Sequence, residues 1–127
     1  MVKEDIPDFS IPQSSPSHNS NDLEMDKLLY QARINGWETA LFDYNKNLID
    51  NDSASIEDQR VADWRFILPI EKNNTILVLG CGLGVVPISL SKMCNTVYAV
   101  DPLWGKAAFL NIRKNQLGIE RLFPLQG

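Results

Sequence analysis

The sequence has few cysteines, one histidine and no long apolar run, and each shortage argues against a class of protein. Its 127 residues include two cysteines, Cys81 and Cys94, whose separation fits neither a zinc-ligand spacing nor a disulfide-rich scaffold. No apolar run approaches the roughly 18 residues that a membrane-spanning helix needs. The N-terminus has no apolar signal core. These features predict a cytoplasmic protein with neither a membrane span nor a metal site.

Positive charge is also scarce. Twelve Lys and Arg against sixteen Asp and Glu give a formal net charge of −4. Because nucleic-acid-binding proteins generally present a basic surface, this balance argues against a nucleic-acid partner, although it is compatible with a local basic groove. The cations of the C-terminal half are scattered and are interpreted as a solvated face: Lys72, Lys92, Lys106, Arg113 and Lys114. The length suits one modest domain.

The N-terminal half is predicted to contain a tail and a helical extension. Residues 1–20 are rich in Ser, Pro and Asn, so we predict a disordered tail in which His18 is solvated. Residues 21–68 are predicted to form helices over about 21–35, 37–44 and 56–66, the first of them ending at Asn35-Gly36. The third helix is expected to turn one side toward the core, and this side carries Val61, Trp64 and Ile67 or Leu68.

From residue 69 to residue 127 the pattern changes to alternating strands and helices. The aliphatic run Thr75–Leu79 predicts a strand that is buried on both faces. The elements expected to follow are a helix over 85–93, a strand over 96–100 closed by Asp101, a helix over 103–117 capped by Gly118, and a strand over 121–125. The last helix is expected to bury Leu103, Ala107, Leu110 and Leu117. This alternation predicts an α/β fold with a parallel sheet, incomplete after its third strand.

A glycine cluster lies between the first predicted strand and the helix that follows it. Gly80, Gly82 and Gly84 allow a sharp turn and the close approach of a ligand to the main chain. The helix behind them offers unpaired N–H groups. Asp101 ends the neighbouring strand, where a carboxylate can accept both hydroxyls of a ribose, or alternatively cap a helix that starts near Pro102. The combination predicts a site for a nucleoside cofactor.

The glycine spacing separates two classes of cofactor. A dinucleotide fingerprint reads G-x-G-x-x-G, whereas this sequence reads G-x-G-x-G and places Val85 where the third glycine would stand. An NAD-type oxidoreductase fragment is therefore disfavoured. Cys81 lies at a helix N-terminus, where thiolates are favoured, but no histidine follows His18 to act as its base. Cys81 is accordingly interpreted as a small packing residue.

Three segments together resemble the class I, Rossmann-like S-adenosylmethionine-dependent methyltransferases. Residues 79–84 (Leu-Gly-Cys-Gly-Leu-Gly) resemble their first motif, residues 98–101 (Tyr-Ala-Val-Asp) their second, and residues 121–127 the start of their third strand. The resemblance implies that S-adenosyl-L-methionine is the cofactor. The residues that it implies for cofactor binding are Gly80, Cys81, Gly82, Gly84, Asp101 and Pro102.

The sequence also departs from that family. Val78 stands where the family often has an acid that orients the methionine end of the cofactor. Trp104 follows Asp101 closely and is either a wall of the ligand site or a core residue. The family's catalytic residues follow its fourth strand, so this chain offers no candidate for them and leaves the methyl acceptor unidentified. The alternative to a methyltransferase N-terminal part is a non-catalytic binding or partner domain, completed by another chain or by a C-terminal region.

Overall fold

The computed structural model describes residues 20–48 and 59–127. The tail predicted over residues 1–20, with His18, lies outside the described residues except for Ser20, with which α1 begins. The described elements are α1 (Ser20–Asn35), α2 (Trp37–Leu48), a 3₁₀-helix (Gln59–Ile67), β1 (Thr75–Leu79), α3 (Val85–Ser91), β2 (Thr96–Asp101), α4 (Trp104–Gln116) and β3 (Leu122–Gln126). None of the helices in these two segments has both the length and the apolar character to cross a membrane.

The three strands form one parallel sheet in the order β1-β2-β3. Thr75 pairs with Thr96 at the start of β1, and Val97 pairs with Leu122 across the other side of β2. The predicted α/β fold with a parallel sheet is therefore confirmed. The carboxyl ends of all three strands meet at one edge, and this edge holds both the glycine turn and Asp101.

One face of the sheet carries the core, together with α3 and α4. Val97 and Ala99 of β2 and Leu122 of β3 are fully buried. They belong to a cluster that also contains residues of the glycine turn, of α3, of the α3–β2 connection and of α4, namely Cys81, Ile88, Leu90, Cys94 and Leu110. Side chains alternate between the faces of a strand, so this cluster uses every second residue of β2.

The opposite face of the sheet is open. Leu77 and Leu79 of β1 are 60% and 74% exposed, and Tyr98 and Phe123 of the next two strands are stacked with ring centroids 5.4 Å apart and are also exposed. We call these four residues the open sheet face. The prediction that β1 is buried on both faces is wrong for the described residues, because the described helices leave the side chains of Leu77 and Leu79 exposed.

The N-terminal helices pack against α4. Leu28 and Ala32 of α1, Leu41 of α2 and Phe109 of α4 are buried in one cluster. Gln116 at the end of α4 donates a hydrogen bond to the Ala32 carbonyl (2.9 Å) and accepts one from the Trp37 main-chain N–H (2.8 Å). The α1–α2 boundary lies where the sequence predicts it, at Gly36 with φ +89°. Helix α2 continues beyond the predicted Tyr44 to Leu48.

Two predictions of buried side chains need correction. The predicted third helix is a 3₁₀-helix, in which residues three apart share a side. Ala62 and Arg65 are therefore turned inward, whereas Trp64 and Ile67 are 43% and 84% exposed. Leu68 is exposed as well. In α4 the expected core residues Leu103 and Leu117 are exposed, because they lie just outside the two ends of the helix, whereas Ala107 and Leu110 are buried.

Candidate functional site

The glycine turn, residues 80–84, joins β1 to α3 and is hydrogen-bonded to the end of β2. The main-chain N–H groups of Gly80 and Cys81 both donate to the Val100 carbonyl, at 2.9 and 3.0 Å. Gly80, Gly82 and Gly84 have φ values of +71°, +55° and +102°, in the region that side chains make costly. The backbone of this turn thus requires glycine at three alternate positions, which explains the G-x-G-x-G spacing.

Asp101 lies directly beside this turn, as the adjacency of β1 and β2 predicts. Its side chain is only 3% exposed. One carboxylate oxygen (Oδ2) accepts the Gly82 main-chain N–H at 3.0 Å, and the other (Oδ1) accepts the Leu103 N–H, also at 3.0 Å. The carboxylate therefore ties the glycine turn to the β2–α4 turn. The N-cap residue of α4 is Leu103 and not Asp101, so the alternative role of Asp101 as the N-cap of a helix starting near Pro102 is wrong, although its carboxylate accepts the N–H of that N-cap residue.

The three glycines differ in what surrounds them. A Cβ atom built on Gly80 or Gly82 would meet no atom within 4 Å, so the main chain at these two positions borders open space. A Cβ on Gly84 would lie 2.4 Å from a methyl carbon (Cδ1) of the buried Leu110. Gly80 and Gly82 hence leave room for a ligand to approach the main chain, and Gly84 allows α3 to pack closely against α4.

Cys81 is buried in the core between the two open glycines. Burial, and secondarily the nearby Asp101 carboxylate, raise the pKa of its thiol to about 12 from an ordinary value of 9.0. A thiol with so high a pKa stays protonated near neutral pH and is a poor nucleophile. The structure agrees with the interpretation of Cys81 as a packing residue.

We expect alkylation of Cys81 to be slow in the folded chain. In a Cys94→Ser background, iodoacetamide should react at about pH 8 at least about 100-fold more slowly with the folded chain than with the urea-unfolded chain, because little thiolate forms. The raised pKa also predicts that the protonated Cys81 thiol contributes to the free energy of unfolding. This contribution is complete below pH 9.0 and is lost as the pH rises toward about 12. Equal rates for the folded and unfolded chains would contradict both expectations.

Other residues named from the sequence occupy structural positions around the turn. Val78 is half-buried and packs against the core cluster, as expected of an ordinary strand residue. Trp104 is half-buried and packs against the cluster formed by α1, α2 and α4, which supports its alternative reading as a core residue. Pro102 is exposed, and its carbonyl accepts a hydrogen bond from Gln126 at 3.4 Å.

Arg113 is buried, and the prediction that it lies on a solvated face is wrong. Its guanidinium lies 3.9 Å from the centre of the Trp37 ring. Its Nη1 donates to the carbonyl of Leu83 in the glycine turn at 3.2 Å. Its position three residues after Leu110 on α4 was the signal that it shares the buried face.

Sequence comparison identifies relatives of known type. No protein-family model matches the chain. Over 107 residues the chain is 32% identical to the ribosomal RNA small subunit methyltransferase G of Legionella pneumophila strain Corby, and equally to that of strain Lens. Each match covers 83% of this chain and 48% of the relative. The chain therefore spans about half the length of the curated relatives it matches.

Solved structures with similar folds include two further methyltransferases. An S-adenosylmethionine-dependent methyltransferase from Aquifex aeolicus is 24% identical, with a TM-score of 0.48 over 65% of this chain and 46% of that one. An rRNA methylase from Streptococcus thermophilus is also 24% identical, with a TM-score of 0.43 over 55% and 43%. Three features identify the fold: the parallel β1-β2-β3 order, the glycine turn and the match to the Legionella enzymes. Over the half of its relatives that it spans, the chain has the N-terminal part of the class I S-adenosylmethionine-dependent methyltransferase fold.

Proposed function

We propose that the chain is the cofactor-binding N-terminal part of an S-adenosylmethionine-dependent methyltransferase. The observation that carries the proposal is the hydrogen bond from the Gly82 N–H to Asp101, which joins a left-handed glycine turn to a carboxylate at the end of the neighbouring strand. The 32% identity to ribosomal RNA methyltransferases supports it. S-adenosylmethionine, when bound, supplies an electrophilic methyl group on its sulfonium.

Each residue proposed for the site has a distinct task. Gly80 and Gly82 border the open space into which the cofactor would fit. Cys81 and Gly84 hold the turn in shape from the core side. Each carboxylate oxygen of Asp101 accepts one main-chain N–H and keeps a further lone pair with which to accept a ribose hydroxyl. Pro102 begins the turn next to it. The residues present therefore fit this cofactor.

The acceptor that we propose is an RNA. The Legionella relatives are named for ribosomal RNA of the small subunit, and the chain matches them over 107 residues. The net charge of −4 favours other acceptors, but it is the charge of this chain alone, which spans about half the length of the relatives. We propose that the catalytic residues, and the remainder of the acceptor pocket, belong to the half of the relatives that the chain does not match.

The second candidate is a non-catalytic partner domain, which the open sheet face also suits. Leu77 and Leu79 expose apolar surface beside the outer edge of β1. This edge pairs with no strand within residues 20–48 and 59–127, so a further strand can pair there. A polypeptide that supplied this strand would complete the sheet in either candidate. The two differ in cofactor binding, which a partner domain does not need.

Calorimetric titration of the chain with S-adenosylmethionine, S-adenosylhomocysteine and NAD tests the proposal. We expect the first two to bind and NAD not to bind. Asp101→Asn should weaken S-adenosylmethionine binding by about 10-fold or more, because a hydrogen bond to a charged acceptor contributes about 1.5–3 kcal/mol. Glu120→Gln removes an equal charge from an exposed position and should change the affinity less than about twofold.

The other outcomes decide between the candidates. Binding of NAD alone would refute the methyltransferase assignment. A folded chain, verified by circular dichroism, that binds none of the three ligands would favour the partner domain. Equal affinities for the Asp101→Asn variant and the original chain would remove Asp101 from the site.

A further inference from the structure

A cationic cavity lies between the 3₁₀-helix and α3. Its volume is about 270 Å³, and three of the side chains that line it are Arg65, Lys92 and Arg113. No Asp or Glu is among its lining residues in the described part of the chain. We propose that this cavity binds a phosphate group, a role that does not depend on the cofactor site.

Arg65 supplies a guanidinium whose hydrogen-bonding capacity is only partly used. Its guanidinium stacks 4.2 Å from the centre of the Phe66 ring, an arrangement that uses the face of the guanidinium and leaves its N–H groups at the edge. The Nη1 atom is buried and has no hydrogen-bond partner among the described residues. The Asp63 carboxylate, 3.5 Å from this atom, compensates part of its charge. An unsatisfied buried donor is costly. Because Nη1 has almost no exposed surface, a phosphate oxygen in the cavity would satisfy it after a small rotation of the guanidinium.

The other two cations have complementary positions. Arg113 is fixed by its hydrogen bond to the Leu83 carbonyl and by its contact with Trp37, so it contributes a stationary charge. Lys92 is exposed at the end of α3, where its flexible stem allows the ammonium to reach an entering ligand. The hydroxyl of Ser89, which also lines the cavity, donates to the Val85 carbonyl at 2.8 Å. The donors that we propose for an anion are therefore the side chains of Arg65, Lys92 and Arg113, and not the Ser89 hydroxyl.

Phosphate is the anion that this donor set suits. Guanidinium edges bind phosphate oxygens through paired hydrogen bonds, and a lysine adds a mobile point charge. Three cations around one cavity are a local exception in a chain whose net charge is −4. The phosphate group could come from free inorganic phosphate or from the backbone of an RNA, and the RNA source rests on the acceptor proposed above.

Two titrations distinguish these sources. In the first, inorganic phosphate is added at constant ionic strength while the NMR signal of the Arg65 side-chain Nε–H is followed. In the second, the chain is added to a fluorescein-labelled, single-stranded RNA of about ten nucleotides, and the anisotropy is measured. We expect the Arg65 signal to shift and saturate with phosphate. Saturation without RNA binding would support the cavity and assign it to free phosphate.

Three variants make the test specific. Arg65→Gln and Lys92→Gln should each weaken the binding of whichever ligand is found by about fivefold to tenfold, because each removes a charged contact. Lys27→Gln removes an equal charge from the exposed surface of α1 and should change the affinity less than about twofold. If the Arg65 variant fails to fold, Lys92→Gln alone decides, because its side chain is exposed.

The proposal is overturned if the Arg65 signal does not respond to phosphate, or if the Lys27 variant loses as much affinity as the Lys92 variant. Neither outcome affects the cofactor proposal, whose test is the binding of S-adenosylmethionine. Conversely, a chain that binds phosphate in this cavity but no S-adenosylmethionine would retain this site and lose the proposed methyltransferase function.

Discussion

Gly84→Ala is expected to lower the free energy of unfolding by about 3 kcal/mol, because two penalties combine at this position. The backbone φ of +102° is one that a residue with a Cβ adopts only with strain. The new Cβ would also lie 2.4 Å from the Leu110 side chain, which is fully buried and has little room to move. Helix α3 would have to shift away from α4.

Gly82→Ala is the matched control for this prediction. Its φ of +55° carries the left-handed penalty, but its Cβ would meet no atom within 4 Å. We expect a loss of about 1 kcal/mol, the typical strain of a left-handed residue that has a side chain. Urea unfolding followed by tryptophan fluorescence measures both variants. Equal losses for the two would show that the contact with Leu110 does not limit the packing of α3.

Asp101→Ala is expected to cost about 3 kcal/mol of stability, even before any ligand is considered. The substitution removes the acceptor of both the Gly82 and the Leu103 N–H groups, which leaves two part-buried donors without that partner. Each such donor costs about 1–3 kcal/mol. Removal of the carboxylate should also disorder the glycine turn, because the hydrogen bond to Asp101 connects Gly82 to the end of β2.

Asp101→Asn distinguishes the effects of the two hydrogen bonds that the carboxylate accepts. Its single amide oxygen can accept one of the two N–H groups, whereas its NH₂ group would face the other as a second donor. We therefore expect a loss at least as large as that of one hydrogen bond, and comparison of the two variants by urea unfolding measures the difference. An Asp101→Ala chain as stable as the original would show that the carboxylate does not support the turn.

The sequence predicts the sheet and the glycine turn because both depend on local signals. The aliphatic run of β1 and the alternating helices and strands fix a parallel order without knowledge of any side-chain contact. Three left-handed backbone positions require glycine at residues 80, 82 and 84. The glycine spacing in the sequence is therefore enough to predict the turn. The place of Asp101 beside the turn follows from the adjacency of β1 and β2.

The remaining features depend on packing between distant segments. Burial of β1 on both faces was inferred from its composition, but burial requires covering elements that lie elsewhere in the chain. The sequence around Arg113 does not distinguish it from a surface cation. Its burial depends on contacts with Trp37 and the Leu83 carbonyl, which are distant in the sequence. The inward turn of Arg65 depends on a 3₁₀ rather than an α-helical period, which hydrophobic spacing could not distinguish here.

The open sheet face also bears on how this polypeptide behaves in a cell. Leu77, Leu79, Tyr98 and Phe123 form an apolar surface beside the outer edge of β1, which pairs with no other strand among the described residues. This combination favours association with other chains. Newly made copies would therefore be clients of chaperones that shield apolar surface, for as long as nothing else covers it. Quality control, rather than intrinsic instability of the core, would then set how much of the protein accumulates.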